Sequence, residues 1–228
     1  MVNDKVEAQS SRANTSVTVG GKPINSIDDV TFEVGSGSKT AIFAVQWITA
    51  PVSEWSDPAD EDIHFLAWKY KFDGKATGQD MILAIAKEDP RFFVVLGRGF
   101  GSVSGNANSI QGFGYDVDGN GEFTIAKGDT VYSQNSFIDG VLRLRGDDTA
   151  DYYTVSGDDF WMGGWKAMYC TYWCAENMTS IPTTFSYSMY MADLRYLQDN
   201  SWDAWTCSTI NSSYINVQPY PECMVAAE

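Results

Sequence analysis

An acidic loop near the middle of the chain carries the residues best suited to holding an ion. Oxygen-bearing side chains alternate along this loop, and the predicted metal ligands are Asp116, Asp118, Asn120 and Glu122. Hard oxygen ligands at this spacing, with a glycine that lets the backbone reverse, are typical of the opening of a calcium-binding loop. Lys127 stands where an EF-hand carries its bidentate glutamate, so other ligands such as Asp129 or Asp139 must complete the coordination. The alternative is a tight hairpin turn without an ion.

Aromatic side chains in the C-terminal part of the chain form the second candidate site. Trp and Tyr offer flat apolar faces with a hydrogen-bonding rim, which suits a planar or sugar-like ligand. The predicted ligand-binding residues are Trp165, Tyr169, Tyr172, Trp173, Trp202 and Trp205. The same aromatic series also includes Trp161, Tyr187, Tyr190 and Tyr196. The alternative is that half or more of them are core. Alternation along residues 166–173 puts a large aromatic on each strand face, so we expect one face to be exposed.

The chain has four cysteines, all near its C-terminal end: Cys170, Cys174, Cys207 and Cys223. An even number in one cluster, with no histidine nearby, predicts two disulfides and an oxidising compartment. Four cysteines allow three pairings, and the sequence does not choose among them. Unpaired core thiols are one alternative. A zinc site is another, because the first pair has a spacing found among metal ligands.

Charge and histidine content exclude several classes of function. The chain has 15 basic and 30 acidic side chains and a net charge of −15, so we expect no binding to a nucleic acid backbone. Its one histidine, His64, excludes a multi-histidine metal centre and argues against a histidine-based catalytic triad. No apolar run is long enough to span a membrane, and neither a nucleophile elbow nor a P-loop is present. We therefore predict a non-catalytic protein without a transmembrane segment.

The elements that must position these residues are mostly strands. One helix is predicted at about residues 77–89, where Thr77 and Asp80 form a capping box and Pro90 ends the apolar periodicity. Alternating or β-branched stretches predict strands within 16–34 and at 41–48, 64–72, 92–96, 122–125, 130–132, 141–144, 166–173, 184–191 and 202–207. The predicted class is α+β, a predominantly antiparallel β domain resembling a β-sandwich or β-grasp fold. Residues 1–15 are expected to be a flexible tail, and residues 16–228 a single β-rich ligand-binding domain.

Three stretches together resemble a known family. They are residues 67–81, which run on through the helix to Asp89-Pro90-Arg91, the segment Gly112–Gly121, and the region from Gly164-Trp165 to Trp202–Trp205. In this order they resemble secreted or surface-anchored lipoproteins of Bacteroidetes, which are linked with outer-membrane uptake of nutrients and of cobalamin. The resemblance covers roughly residues 35–210.

A more remote similarity is to the C-terminal domain of transcobalamin-type carriers, in which a small β-rich domain closes over the corrin ring. A helix entered by Thr-Gly, glycine-flanked strands and a Trp-x-x-x-Tyr strand carry this similarity. Trp165–Trp173 would occupy the place of that family's aromatic strand. The chain departs from the family in its long insertions and in the two cysteines, Cys170 and Cys174, in or beside this strand.

These resemblances imply a cell-surface protein that captures cobalamin (vitamin B12) for an outer-membrane transporter without covalent chemistry. Its expected location is extracellular or at the outer-membrane surface. Met1–Lys5 contains no apolar signal segment, so if the protein is exported we expect this sequence to be a processed or trimmed form. The family resemblance implies a lipid anchor before that trimming. The alternative function is a calcium-stabilised glycan-binding or adhesion module that uses the same aromatics as sugar platforms.

Overall fold

The computed structural model describes residues 21–52, 57–98, 108–145, 153–154, 157–163, 168–210 and 217–228. The predicted tail, residues 1–15, lies outside the described residues. The strands are β1 (Glu33–Gly35), β2 (Lys39–Val52), β3 (Ile63–Phe72), β4 (Phe92–Arg98), β5 (Asn108–Tyr115), β6 (Thr124–Lys127), β7 (Thr130–Ser133), β8 (Val141–Arg145), β9 (Tyr153–Thr154), β10 (Phe160–Gly163), β11 (Met168–Ala175), β12 (Ser186–Tyr187), β13 (Ser201–Ile210) and β14 (Met224–Ala226). Within these residues, the strands together with one α-helix confirm the predicted α+β class.

The α-helix, α1 (Gly78–Glu88), begins and ends where the sequence predicts. The Thr77 side chain accepts a hydrogen bond from the Asp80 backbone N–H at 3.1 Å, and the Asp80 carboxylate accepts one from the Thr77 N–H at 2.8 Å. These two bonds satisfy donors that a helix start leaves without partners. Met81, Ile82 and Ile85 form its buried face. No helix in the described part of the chain has the length and apolar character needed to cross a membrane.

The strands named above form three sheets. The main sheet has the order β1-β3-β2-β13-β11-β12, with β14 also beside β3; the second sheet is β10-β5-β4-β8, and the outer sheet is β7-β6-β9. Among the described strands, seven pairings are antiparallel and four are parallel, which confirms the predicted antiparallel bias. The parallel pair β2–β13 lies at the centre of the main sheet and brings distant parts of the chain together.

The main core lies between the main sheet, the second sheet and α1. Phe43 of β2 lies against Phe113 of β5, with ring centroids 5.8 Å apart. The Trp47 indole N–H donates to the Phe113 carbonyl at 3.1 Å, which gives this buried polar group a partner in the opposite sheet. Two packed sheets around one apolar layer make the sandwich that the sequence predicts.

The outward faces of both larger sheets are also covered. On the main sheet, Ile42, Phe65 and Trp202 belong to a second apolar cluster, which includes Ile24 and Val30 from the N-terminal segment. On the second sheet, a further cluster joins strand residues to the outer sheet through Phe93, Val95, Phe123, Ile125 and Trp161. Aromatic side chains of β2 and β13 on both faces of the main sheet, such as Phe43 and Trp202, are therefore buried.

Four strands, β5, β9, β10 and β14, lie outside the predicted ranges, and in β5 and β10 glycines interrupt the apolar pattern. A side chain at Gly114 would meet the ring of Phe123 at 2.2 Å, and one at Gly112 would meet Trp161 at 2.8 Å and the Met162 carbonyl at 2.6 Å. Flat rings from other segments thus supply the cover that side chains on these strands would normally provide. The opposite error occurs at residues 184–191, where only β12 (Ser186–Tyr187) is a strand.

Candidate functional site

Strands β11 and β13 bring the predicted ligand-binding aromatics together. Their antiparallel register places Tyr172 opposite Trp205 and Trp173 opposite Ala204, with Trp202 opposite Ala175. The Tyr172 and Trp205 rings are stacked with their centroids 4.6 Å apart. Trp165 lies outside the described residues, and for Tyr169 only the backbone is described.

The described side chains of this predicted site are core residues. Tyr172, Trp173, Trp202 and Trp205 are each less than a tenth exposed. Tyr172 and Trp205 face the second sheet, whereas Trp173 and Trp202 belong to the cluster on the opposite face. The alternation expected along β11 is therefore present, but both faces are covered and the expected exposed aromatic face is absent among these four side chains.

Exposed aromatics lie instead in the ten residues 187–196, which we call the tyrosine platform. Five of its large apolar side chains are exposed, among them Met189 at 86%, Tyr190 at 63% and Tyr196 at 58%; the others are Tyr187 and Leu194. Such side chains grouped in one segment often mark a binding surface. The sequence contained a signal for it, since segments rich in Tyr and Ser are typical of binding loops.

The tyrosine platform is fixed to the body of the protein although β12 supplies its only strand residue. The Ser188 N–H donates to the Tyr172 carbonyl at 2.8 Å, which holds the start of the platform on β11. At the other end, the N–H groups of Gly78 and Gln79 donate to the carbonyls of Arg195 and Ala192, each at 2.9 Å. The first turn of α1 therefore holds the end of the platform. The N–H groups of Gly78 and Gln79, which have no acceptor within the helix, donate to backbone carbonyls of the platform.

A buried polar cluster lies beneath the platform. Asp203 of β13 is almost fully buried; it accepts a hydrogen bond from the Tyr172 hydroxyl and pairs with the Arg195 guanidinium at 3.0 Å. Arg195 also contacts the Glu176 carboxylate at 2.6 Å. Burial raises the pKa of the Cys174 thiol to about 12, and the Asp203 carboxylate adds to this rise. Because that thiol stays protonated at neutral pH, it is a poor nucleophile.

Burial also disfavours ionisation of the tyrosine in this cluster. Burial raises the pKa of Tyr172 well above its ordinary value, and the Asp203 carboxylate contributes in the same direction. The Tyr172 hydroxyl is therefore a hydrogen-bond donor rather than a proton acceptor at neutral pH. Burial also raises the pKa of Asp203, while Arg195 and the Tyr172 hydroxyl lower it. The cluster joins strands β11 and β13 to the platform.

The acidic loop assembles a smaller cluster than the sequence predicts. Oxygens of Asp116, Asp118 and Asp159 lie within 4.8 Å of one another, and Asp159 comes from the segment just before β10. Asp116 is buried, and its two carboxylate oxygens accept hydrogen bonds from Gly119 N–H at 2.8 Å and Gly121 N–H at 2.9 Å. Asp159 holds the loop by accepting from the Val117 N–H at 3.1 Å. Three carboxylates with this spacing fit a hard divalent cation such as calcium.

Of the other predicted metal ligands, Asn120 lies beside this cluster, whereas Glu122, Asp129 and Asp139 are not among its three carboxylates. Asn120 donates to the Asp118 carboxylate at 2.9 Å and accepts from the Glu122 N–H at 2.7 Å, so both residues shape the loop. Asp129 lies in the turn between β6 and β7, and Asp139 lies in the turn before β8. The loop joins β5 to β6, which belong to different sheets, so it is not the hairpin turn of the alternative interpretation.

One of the two predicted disulfides is present. Cys170 of β11 and Cys207 of β13 are directly opposite in the strand register, with Cα atoms 4.2 Å apart, and they form a disulfide. The prediction of a second bridge is wrong, because Cys174 and Cys223 are thiols. Cys174 is opposite Asp203 on β13, whereas Cys223 packs with Ile48 in a separate apolar cluster.

Comparison with known proteins identifies no relative for this chain. No protein-family model, no curated protein and no solved structure matches it.

Proposed function

We propose that this protein is a non-catalytic binding protein that captures a nutrient, preferably cobalamin, on the tyrosine platform. The observation that carries the proposal is the group of five exposed large apolar side chains within residues 187–196. Delivery to an outer-membrane transporter, at an extracellular or outer-membrane location, is part of the proposal. The Cys170–Cys207 disulfide supports such a location, because disulfides persist in oxidising compartments.

The side chains of the platform fit a large ligand with a flat, partly apolar face. Tyrosine rings provide apolar area and a hydroxyl rim, while Met189 and Leu194 add aliphatic contact that sugars rarely require. A corrin ring offers such a face, with methyl groups and amides at its edge. The net charge of −15 disfavours anionic ligands. Since apolar burial carries the binding, the affinity should survive high salt.

Rigid attachment supports this assignment. Ordering a loop when the ligand binds would reduce the affinity, whereas a platform fixed in advance loses little entropy. The backbone hydrogen bonds from α1 and β11 supply this fixation. Tyr196 is further oriented by Lys75, whose amino group lies 5.6 Å from the centroid of its ring.

A spectral titration with cyanocobalamin tests the proposal. We expect Tyr190→Ala and Tyr196→Ala to weaken binding by about 2 kcal/mol for at least one of the two, the scale of a hot-spot residue. Ile138→Ala is the matched control, because Ile138 is exposed and apolar but lies outside the platform. Binding should be unchanged in this control and in wild-type protein at high salt.

Absence of a shift in corrin absorption at micromolar wild-type protein would remove cobalamin as the ligand. A glycan array then examines the second candidate, a calcium-stabilised glycan-binding or adhesion module. The cluster of Asp116, Asp118 and Asp159 favours this candidate, since a bound cation would stabilise the loop. Glycan binding that requires Tyr190 or Tyr196 would retain the platform as the site while changing its ligand.

A further inference from the structure

Arg195 is a charged residue of the tyrosine platform whose side chain is largely covered. Its side chain is 10% exposed, and it points into the body of the protein rather than toward a ligand. It contacts Asp203 on β13 and Glu176 just after the end of β11, at 3.0 Å and 2.6 Å. Its carbonyl oxygen accepts the Gly78 N–H at the start of α1. One residue of the platform thus contacts a strand, a strand end and a helix.

The partner of Arg195 lies on one of the best-supported strands of the fold. Asp203 is paired with Cys174 of β11 on one side and with Phe43 of β2 on the other. Its second carboxylate oxygen accepts the Tyr172 hydroxyl, which fixes the carboxylate orientation. A side chain added at Gly78 would meet that hydroxyl at 2.5 Å, so the helix start also fits closely on the cluster. The guanidinium therefore contacts a carboxylate that cannot easily move.

A buried ion pair of this kind is better suited to fixing geometry than to adding stability. Removing two charges from water offsets much of their attraction, and apolar residues of similar size often stabilise a protein as well. The Arg195 Nε has no hydrogen-bond partner within the described residues, so the pair is not optimised for bonding. Its planar, directional contacts instead define where the backbone of residue 195 lies.

We propose that Arg195 is a positioning residue, which acts through Asp203 to hold the tyrosine platform in its ligand-binding shape. The proposal rests on the proposed function for its binding readout, but not for its structural readout. In this proposal the exposed tyrosines contact the ligand and the core aromatics contribute stability, whereas Arg195 holds the platform in place.

Amide hydrogen exchange of a triple variant with apolar replacements tests this proposal. In Arg195→Met/Asp203→Leu/Tyr172→Phe, both charges are removed and the hydroxyl that would lose its acceptor is also removed. We expect amides of Ser188, Leu194 and Arg195 to exchange at least about tenfold faster, with β2 and β3 still protected. Glu33→Gln is the control, because it breaks the surface pair of Glu33 and Lys69 on another part of the protein.

A second variant keeps the test decisive if the triple variant does not fold. Arg195→Lys retains the charge but lacks the planar fork, so we expect the same amides to exchange faster by a smaller factor. Unchanged exchange across residues 187–196 in a folded variant would overturn the proposal. Cyanocobalamin titration supplies the functional readout, with affinity expected to fall at least about tenfold while the core remains folded. If wild-type protein does not bind cyanocobalamin, the proposed ligand fails, and the exchange result alone still decides the role of Arg195.

Discussion

The tyrosine platform and the aromatic pair of strands β11 and β13 contain the same kinds of residue but lie in opposite environments. Tyr172 and Trp205 are buried in the main core, while Tyr190 and Tyr196 are more than half exposed. The two regions are neighbours along the chain. Strand β11 continues into the main sheet, where both faces are covered, whereas β12 pairs with β11 through only two residues before the chain leaves the sheet.

This difference shows that aromatic density alone does not locate a binding surface. An aromatic on a central strand is covered whenever both faces of its sheet have partners, as both faces of the main sheet do here. A tyrosine in a segment beyond the sheet edge is covered only if another segment packs over it. Stability and binding are therefore expected to depend on separate sets of aromatic residues.

The largest expected effect tests this separation directly. Trp202→Ala should lower the free energy of unfolding by about 3–5 kcal/mol, because it removes a fully buried indole. The same change also leaves the Met178 carbonyl without its donor at 2.7 Å. Tyr190→Ala should change stability by no more than about 0.5 kcal/mol, as for most surface substitutions. Urea denaturation followed by fluorescence measures both values. Similar losses in the two variants would contradict the division between core and platform.

A second, smaller effect tests whether the acidic loop stabilises the folded protein, as the core does, by binding calcium. If the cluster of Asp116, Asp118 and Asp159 binds calcium, the ion should stabilise the protein by about 2.7 kcal/mol at about a hundredfold excess over Kd. Chelation should then lower the melting temperature, and Asp118→Asn/Asp159→Asn should remove this sensitivity. Asp139→Asn is the control, because Asp139 lies outside the cluster in a left-handed turn that asparagine tolerates. Identical melting curves with calcium and with chelator would exclude a stabilising ion.

The smallest expected effect concerns pH and the junction between the two larger sheets. His64 of β3 stacks on Phe160 of β10, with ring centroids 4.2 Å apart, and burial lowers its pKa below the ordinary value of 6.5 although Asp62 opposes this. The folded state therefore binds the proton less readily than the unfolded state. Stability should fall as the pH decreases below about 6.5, until the folded-state pKa is also passed.

His64→Gln isolates this contribution, since the chain has no other histidine. The difference in melting temperature between wild type and variant should change between about pH 7.5 and about pH 5.5. Ligand affinity of the folded fraction should remain constant over this range, because His64 lies in the sandwich and not in the platform. A pH-independent difference would show that the histidine does not couple proton binding to folding.

Local features of the fold could be predicted from sequence because neighbouring residues determine them. The capping box of Thr77 and Asp80, the apolar face of the helix and Pro90 act within a few residues, and the helix follows as predicted. Alternation along residues 166–173 likewise assigns Tyr172 and Trp173 to opposite faces, as observed. Such patterns report which residues share a face of an element, and from them the α+β class also followed.

Whether a face is covered depends on partners distant in sequence, and only the tertiary structure decided this. Asp159 joins Asp116 because β10 pairs with β5, and Cys170 bonds to Cys207 because β11 and β13 align those two positions. Tyr190 remains exposed because no described segment packs over it to the extent seen for Tyr172. The local sequence does not distinguish the buried Tyr172 from the exposed Tyr190. Burial, the grouping of the three carboxylates and cysteine pairing depend on contacts between segments separated by many residues, and no short-range pattern encodes them.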